Sequence, residues 1–164
     1  MPGSTTKRVY IERFDHEPVR GYVQPHRWLT PDGIELLDPN GNLIVLPYDD
    51  VKLVWFVRSW EDAVETPAER LYASRPRCLG LWVRFRFRDG DLLDAIIPNN
   101  LLELEPYGFL ATPPHSRTGP QRVFIPRAAL AESTVLGVIG TPLRRAKRAV
   151  PPLGQYPLFG EKTD

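Results

Sequence analysis

Two small antiparallel β-barrels in tandem, joined by a short helix and followed by an extended tail, are what the sequence predicts. Three observations carry that all-β expectation. Eighteen of the 164 residues are Pro, and thirteen of these fall between Pro18 and Pro126. Pro fixes φ and removes a backbone donor, so long helices are excluded over that stretch. Apolar residues also alternate with polar ones: Val83, Phe85 and Phe87 interleave with Arg84, Arg86 and Arg88. A period of two sets one face of a strand against a core. Finally, the chain repeats itself.

The repeat is one of pattern rather than identity. Val9-Tyr10-Ile11-Glu12-Arg13-Phe14-Asp15 aligns with Val83-Arg84-Phe85-Arg86-Phe87-Arg88-Asp89, 74 positions later. The same offset carries Val19–Val23 onto Leu93–Ile97. After one inserted residue, Pro31-Asp32-Gly33-Ile34 meets Pro106-Tyr107-Gly108-Phe109. After four more, Leu43-Ile44-Val45-Leu46-Pro47 meets Arg122-Val123-Phe124-Ile125-Pro126 at offset 79. The insertions fall between apolar segments, where loops belong.

The first unit, residues 7–58, opens with a strand and then forms a hairpin. Ile34–Leu37 and Leu43–Leu46 flank Asn40-Gly41, a dipeptide suited to a tight turn. Pro47-Tyr48-Asp49-Asp50 gives a single helical turn, and Val51–Val57 closes the unit. In the linker, residues 59–79, Thr66-Pro67-Ala68-Glu69 has the form of a helix start. That helix should run to Ser74, ahead of Pro76, and pack through Leu71 and Tyr72. The second unit, residues 80–140, places Asp89-Gly90 between its opening strand and Leu92–Ile97. The turn Pro126-Arg127-Ala128-Ala129 and the strand Val135–Ile139 complete it. Each unit is expected to hide its own aliphatic interior.

Five short strands with one helical turn before the last resemble the SH3-like and Sm-like small barrels, over about residues 7–58 and 80–140. The Sm resemblance implies an RNA-binding protein, although Ile125-Pro126-Arg127 stands where the second Sm signature would sit. The segments Arg84–Gly90, Pro98–Leu102 and Arg122–Leu130 also resemble an uncharacterised bacterial family.

Composition narrows the function classes. Basic and acidic residues number 21 and 20, and apolar residues make up 42%, as in ordinary folded domains. No apolar run approaches the roughly 18 residues of a membrane span, and no basic-then-apolar leader is present, so a cytoplasmic location is expected. The single cysteine, Cys78, excludes an intrachain disulfide and is expected to be half-buried. His16, His26 and His115 fall in turns or loops, as solvated histidines do, so no metal is expected. Asp49, Asp50, Asp89, Asp91 and Asp94 are turn or strand carboxylates with no nucleophile elbow or phosphate loop nearby. No catalytic residue and no cofactor are expected.

Two binding readings remain. Arg84, Arg86 and Arg88 form a stripe that can track phosphates, with exposed Trp28 or Trp82 to stack a base. The competing reading is a solvated strand face whose arginines meet acidic residues across the sheet. Residues 1–139 carry 16 basic and 18 acidic side chains, a balance that favours the second. The tail, residues 141–164, reverses sign: Arg144, Arg145, Lys147 and Arg148 can grip a nucleic-acid backbone. Beyond Pro151-Pro152, the segment Gln155-Tyr156-Pro157-Leu158-Phe159 resembles the short motif that docks bacterial proteins on the DNA sliding clamp. That resemblance implies a Gln155 hydrogen bond at the pocket rim, with Leu158 and Phe159 filling an apolar cleft. The second place of the motif is more often Leu than Tyr156, and the alternative is a tail folded back on a barrel. The expectation is therefore a non-catalytic binding or adaptor module, monomer or homodimer. Sm-like RNA binding and an enzyme with a site between the barrels are the alternatives.

Overall fold

A computed structural model describes residues 5–61, 70–114 and 122–140. The fold is all-β. In the first half run β1 (Lys7–Arg13), β2 (Val19–Val23), β3 (Leu29–Thr30), β4 (Gly33–Leu37), β5 (Leu43–Leu46) and β6 (Val51–Phe56). In the second half run β7 (Gly80–Phe87), β8 (Leu92–Ile97), β9 (Gly108–Ala111), β10 (Arg122–Pro126) and β11 (Leu130–Ile139). Single 3-10 turns at Tyr48–Asp50 and Arg127–Ala129 precede the last strand of each half, each capped by the Pro before it.

Pairing repeats with the sequence offsets. β1 meets β2 with Lys7 opposite Val23, and β7 meets β8 with Leu81 opposite Ile97. β1 meets β6 with Val9 opposite Phe56, and β7 meets β11 with Val83 opposite Val135. One irregularity recurs: β6 skips Lys52 and β11 skips Ala131, 79 apart, while β11 also skips Leu136. Ile34 faces Leu46 between β4 and β5, as Phe109 faces Ile125 between β9 and β10. Gly33 and Gly108 fit this frame, because a Cβ on either would overlap the carbonyl oxygen of Leu46 or Ile125. The hairpin glycines Gly41 and Gly90 take φ of 88° and 94°, the left-handed region that Gly enters without a steric cost.

The halves do not close separately. β10 pairs with β6, Val123 opposite Trp55 and Phe124 opposite Val54, so one sheet runs β3-β4-β2-β1-β6-β10-β9 with β5 on β4. The remaining sheet is β11-β7-β8, tied to the first by a bridge between Ile96 and Thr112. Each core borrows from the other half. Leu53, Trp55 and Val57 of the first half pack with Val83, Phe85, Phe87 and Ile125. Phe124 of the second half packs with Val9, Ile11, Trp28 and Val54. The expectation of two self-contained interiors gives way to two cores sharing β6 and β10, because β6 is buried on both faces.

Three local expectations change. Residues 70–74 form bends rather than a helix, and the start of that expected helix lies outside the described residues. The backbone there is recruited elsewhere: the Arg70 carbonyl accepts the Asp94 N–H at 2.6 Å, and the Tyr72 N–H donates to the Asp94 carboxylate. Trp28 is buried, edge-on to Phe124 with centroids 4.9 Å apart, and is not free to stack a base. Cys78 is exposed rather than half-buried.

Candidate functional site

Each half contains a cleft at the same place, where its second and third long strands fork. In the second half β8 and β9 touch through Ile96 and Thr112, whose backbone groups exchange bonds of 2.9 and 2.8 Å, and then diverge. The cleft so opened measures about 450 Å³ and is lined by Gly80, Ile96, Pro98, Leu110, Thr112 and Arg122 among others. In the first half β2 and β4 share the single register pair Tyr22 with Leu37. The cleft beside it, about 170 Å³, is lined by the counterparts Thr6, Tyr22, Gln24, Glu35, Leu37 and Leu43, and is narrowed by Arg27 and Trp28.

The larger cleft carries an apolar tip on its rim. The Asn100 side chain accepts the Leu102 N–H at 3.1 Å and donates to Glu103 Oε1 at 3.1 Å, fixing a 3-10 turn over Leu101–Glu103. An Asn cap satisfies a donor that such a turn leaves open. Leu101 and Leu102 are thereby held out with 84% and 94% of their surface in solvent, near the exposed Leu79 on the cleft wall. This tip is not among the site residues that the sequence singles out. Its signal was the spacing of Asn100 and Glu103 around two leucines that lack a partner of strand or helix period.

The ionisable groups are tied into the fold. Arg84 donates twice to Asp94, at 2.7 and 3.0 Å, and Asp94 is fully buried. Trp82 Nε1 adds a 3.4 Å contact to the same carboxylate. Tyr72 beside it donates its hydroxyl to the Thr112 carbonyl at 3.1 Å, and burial pushes that phenol up to about 12. Arg86 pairs with Glu132 at 2.7 Å. Arg88 donates to the Asp49 carbonyl and lies 3.9 Å from the centroid of Phe14. Arg84 and Arg86 thus share β7 with Arg88 just past its end, and each of the three already has a partner on another element. Arg144, Arg145, Lys147, Arg148, Gln155, Leu158 and Phe159 lie outside the described residues.

His16 and several aspartates likewise hold elements together. Asp50 takes Arg13 and, at 2.7 Å, His16 Nδ1. Burial raises the Asp50 carboxyl, but the bonds from Arg13 and His16 outweigh it and leave the group below the usual carboxylate range. Lys52 bridges the halves by donating to both Asp89 and Asp91. Desolvation opposes its charge, and the two carboxylates prevail and raise its pKa. Among the described residues, no three His, Cys, Asp or Glu side chains are placed to hold a metal ion. No helix among them is long and apolar enough to cross a membrane.

The class defined so far is an all-β protein of two halves, six strands and five, whose matching strands pair in the same register, with a forked cleft in each. The chain belongs to a family of unknown function, DUF6982, whose model matches residues 5–137. The match stops before the Gln155–Phe159 segment. No curated protein and no solved structure matches the chain.

Proposed function

We propose that this protein is a non-catalytic binding module that engages a protein partner through the cleft of its second half and the Leu101–Leu102 tip. The exposure of those two leucines is the observation that carries the reading. Large apolar side chains held rigidly in water are costly to leave uncovered, and paired apolar anchors are what a partner's pocket takes up. The cleft beside them supplies a concave apolar wall with Arg122 and Glu103 at its edge, the mixture that orients a bound segment. The finer reading adds an adaptor role, in which Gln155, Leu158 and Phe159 dock on the DNA sliding clamp while the cleft holds a second protein. The motif resemblance of that segment supports the clamp as partner.

The test uses the full chain against a displayed peptide library and, separately, purified sliding clamp. Peptides retained by the wild type and lost with Leu101→Glu/Leu102→Glu are expected, and retention indifferent to that pair overturns the cleft reading. Clamp binding should vanish with Leu158→Ala/Phe159→Ala, and equal retention of wild type and variant overturns the adaptor reading.

A further inference from the structure

The joint between the halves is lopsided. The last strand of the first half, β6, pairs with the fourth strand of the second half, β10. The counterpart joint would pair the last strand of the second half, β11, with the fourth strand of the first, β5. Among the described residues that joint is not made: β11 pairs only with β7, and β5 only with β4. Among the described residues, each therefore has an outer edge of backbone donors and acceptors with no strand beside it.

These two edges carry exposed aliphatic side chains. Leu43 and Val45 on β5 are 62% and 44% exposed, and Val135 and Val138 on β11 are 57% and 53% exposed. β6 and β10, by contrast, are almost wholly buried. Soluble proteins guard sheet edges with Lys, Pro or inward charges. β5 contains neither a charge nor a Pro, and the one charge on β11, Glu132, is spent on Arg86.

We infer that β11 of one copy of this chain pairs antiparallel with β5 of a second copy, repeating between chains the joint that β6 and β10 make within one. The offset of 79 fixes the register. Arg122 opposite Phe56 becomes Leu43 opposite Val135, and Phe124 opposite Val54 becomes Val45 opposite Ser133. Val45 then takes the place of Phe124, leaving β5 to cover the open side of the second core. A joint of this kind is heterologous, so it propagates head to tail until it closes into a ring or extends as a filament.

The intermolecular joint is the weaker of the two. Ala131 stands where Lys52 bridges Asp89 and Asp91, so that ionic clamp has no counterpart. Glu132, Ser133 and Thr134 replace the buried Leu53, Val54 and Trp55, as suits a strand that is solvated before it pairs. Backbone bonds and the aliphatic side chains hold the joint, and assembly is reversible and dependent on concentration.

Sedimentation of the full chain from low micromolar to submillimolar concentration tests this. The wild-type mass should climb past twice the 18.7 kDa of one chain. Val45→Lys blocks the β5 edge and Val135→Lys the β11 edge, so each variant alone should stay monomeric. An equal mixture of the two keeps one intact pair of edges and should form a dimer and nothing larger. Far-UV circular dichroism checks folding, and Leu43→Glu and Val138→Lys replace any variant that unfolds. A wild type that is monomeric throughout, with its own tail on an edge or not, overturns the proposal. So does a single variant that still self-associates, or a mixture that stays monomeric.

Discussion

β6 and β11 are the same strand by register and meet opposite fates. Both follow a Pro-capped 3-10 turn, both skip one residue at the same place, and both pair with the opening strand of their half. Yet β6 is buried nearly throughout, while most of β11 is exposed. The difference lies beside them: β10 covers one edge of β6, and among the described residues no strand covers the matching edge of β11. Burial here follows from the neighbour and not from the repeat unit. Sequence has adapted accordingly, with Leu53, Val54 and Trp55 on one strand against Glu132, Ser133 and Thr134 on the other.

The sharpest way to break the comparison is to remove matching side chains from the covered and the bare joint. Phe124 is fully buried between Trp28 and the strands of the first half, whereas its counterpart Val45 is 44% exposed. Phe124→Ala should cost about 3–5 kcal/mol, the usual range for a large core truncation. Val45→Ala should stay within about 0.5 kcal/mol at dilute concentration, as surface changes do. Urea unfolding measures both, and similar costs for the two would mean that the joints are not distinct.

A smaller effect belongs to Lys52, which only the covered joint possesses. Lys52→Met should cost on the order of 1 kcal/mol at neutral pH, since Asp89 and Asp91 keep much of their exposure. Its pH dependence has a definite sign. Burial raises the Asp89 carboxyl, and Lys52 together with backbone N–H groups at Asp91 and Asp89 more than reverses this, so the folded value lies below the ordinary one. That stabilisation is complete above the ordinary carboxylate pKa of about 4 and is lost as pH falls through the depressed value. Lys52, with its value raised, contributes fully below the ordinary lysine range and loses that contribution as pH climbs through the higher value. Urea midpoints between neutral and acid pH should therefore fall less steeply in Lys52→Met than in the wild type. Parallel curves would remove Lys52 from the joint.

Much of the strand plan was legible because its signals are local. Alternation in Val83–Phe87, the Asn40-Gly41 and Asp89-Gly90 turns and the Pro-led turns each depend on a few neighbouring residues. Leu43–Leu46 and Leu92–Ile97 are strands with the bounds that the Asn40-Gly41 and Asp89-Gly90 turns predict. The helix was misjudged over residues 70–74 because the buried Asp94 captures backbone groups there that a helix would have used. The sharing of β6 was also missed, although a hint stood in Val51, Leu53, Val54, Trp55 and Val57. A strand apolar at odd and even positions alike is one buried on both faces. The forked clefts escaped for a different reason, since they arise where pairing between distant strands stops.

The most direct test of the shared sheet is a set of cross-strand proton–proton contacts measured by nuclear magnetic resonance on the full chain. Contacts joining Trp55 to Val123 and Val54 to Phe124 are the result expected. Contacts that instead place β10 beside β11, closing the second half on itself, would contradict the account.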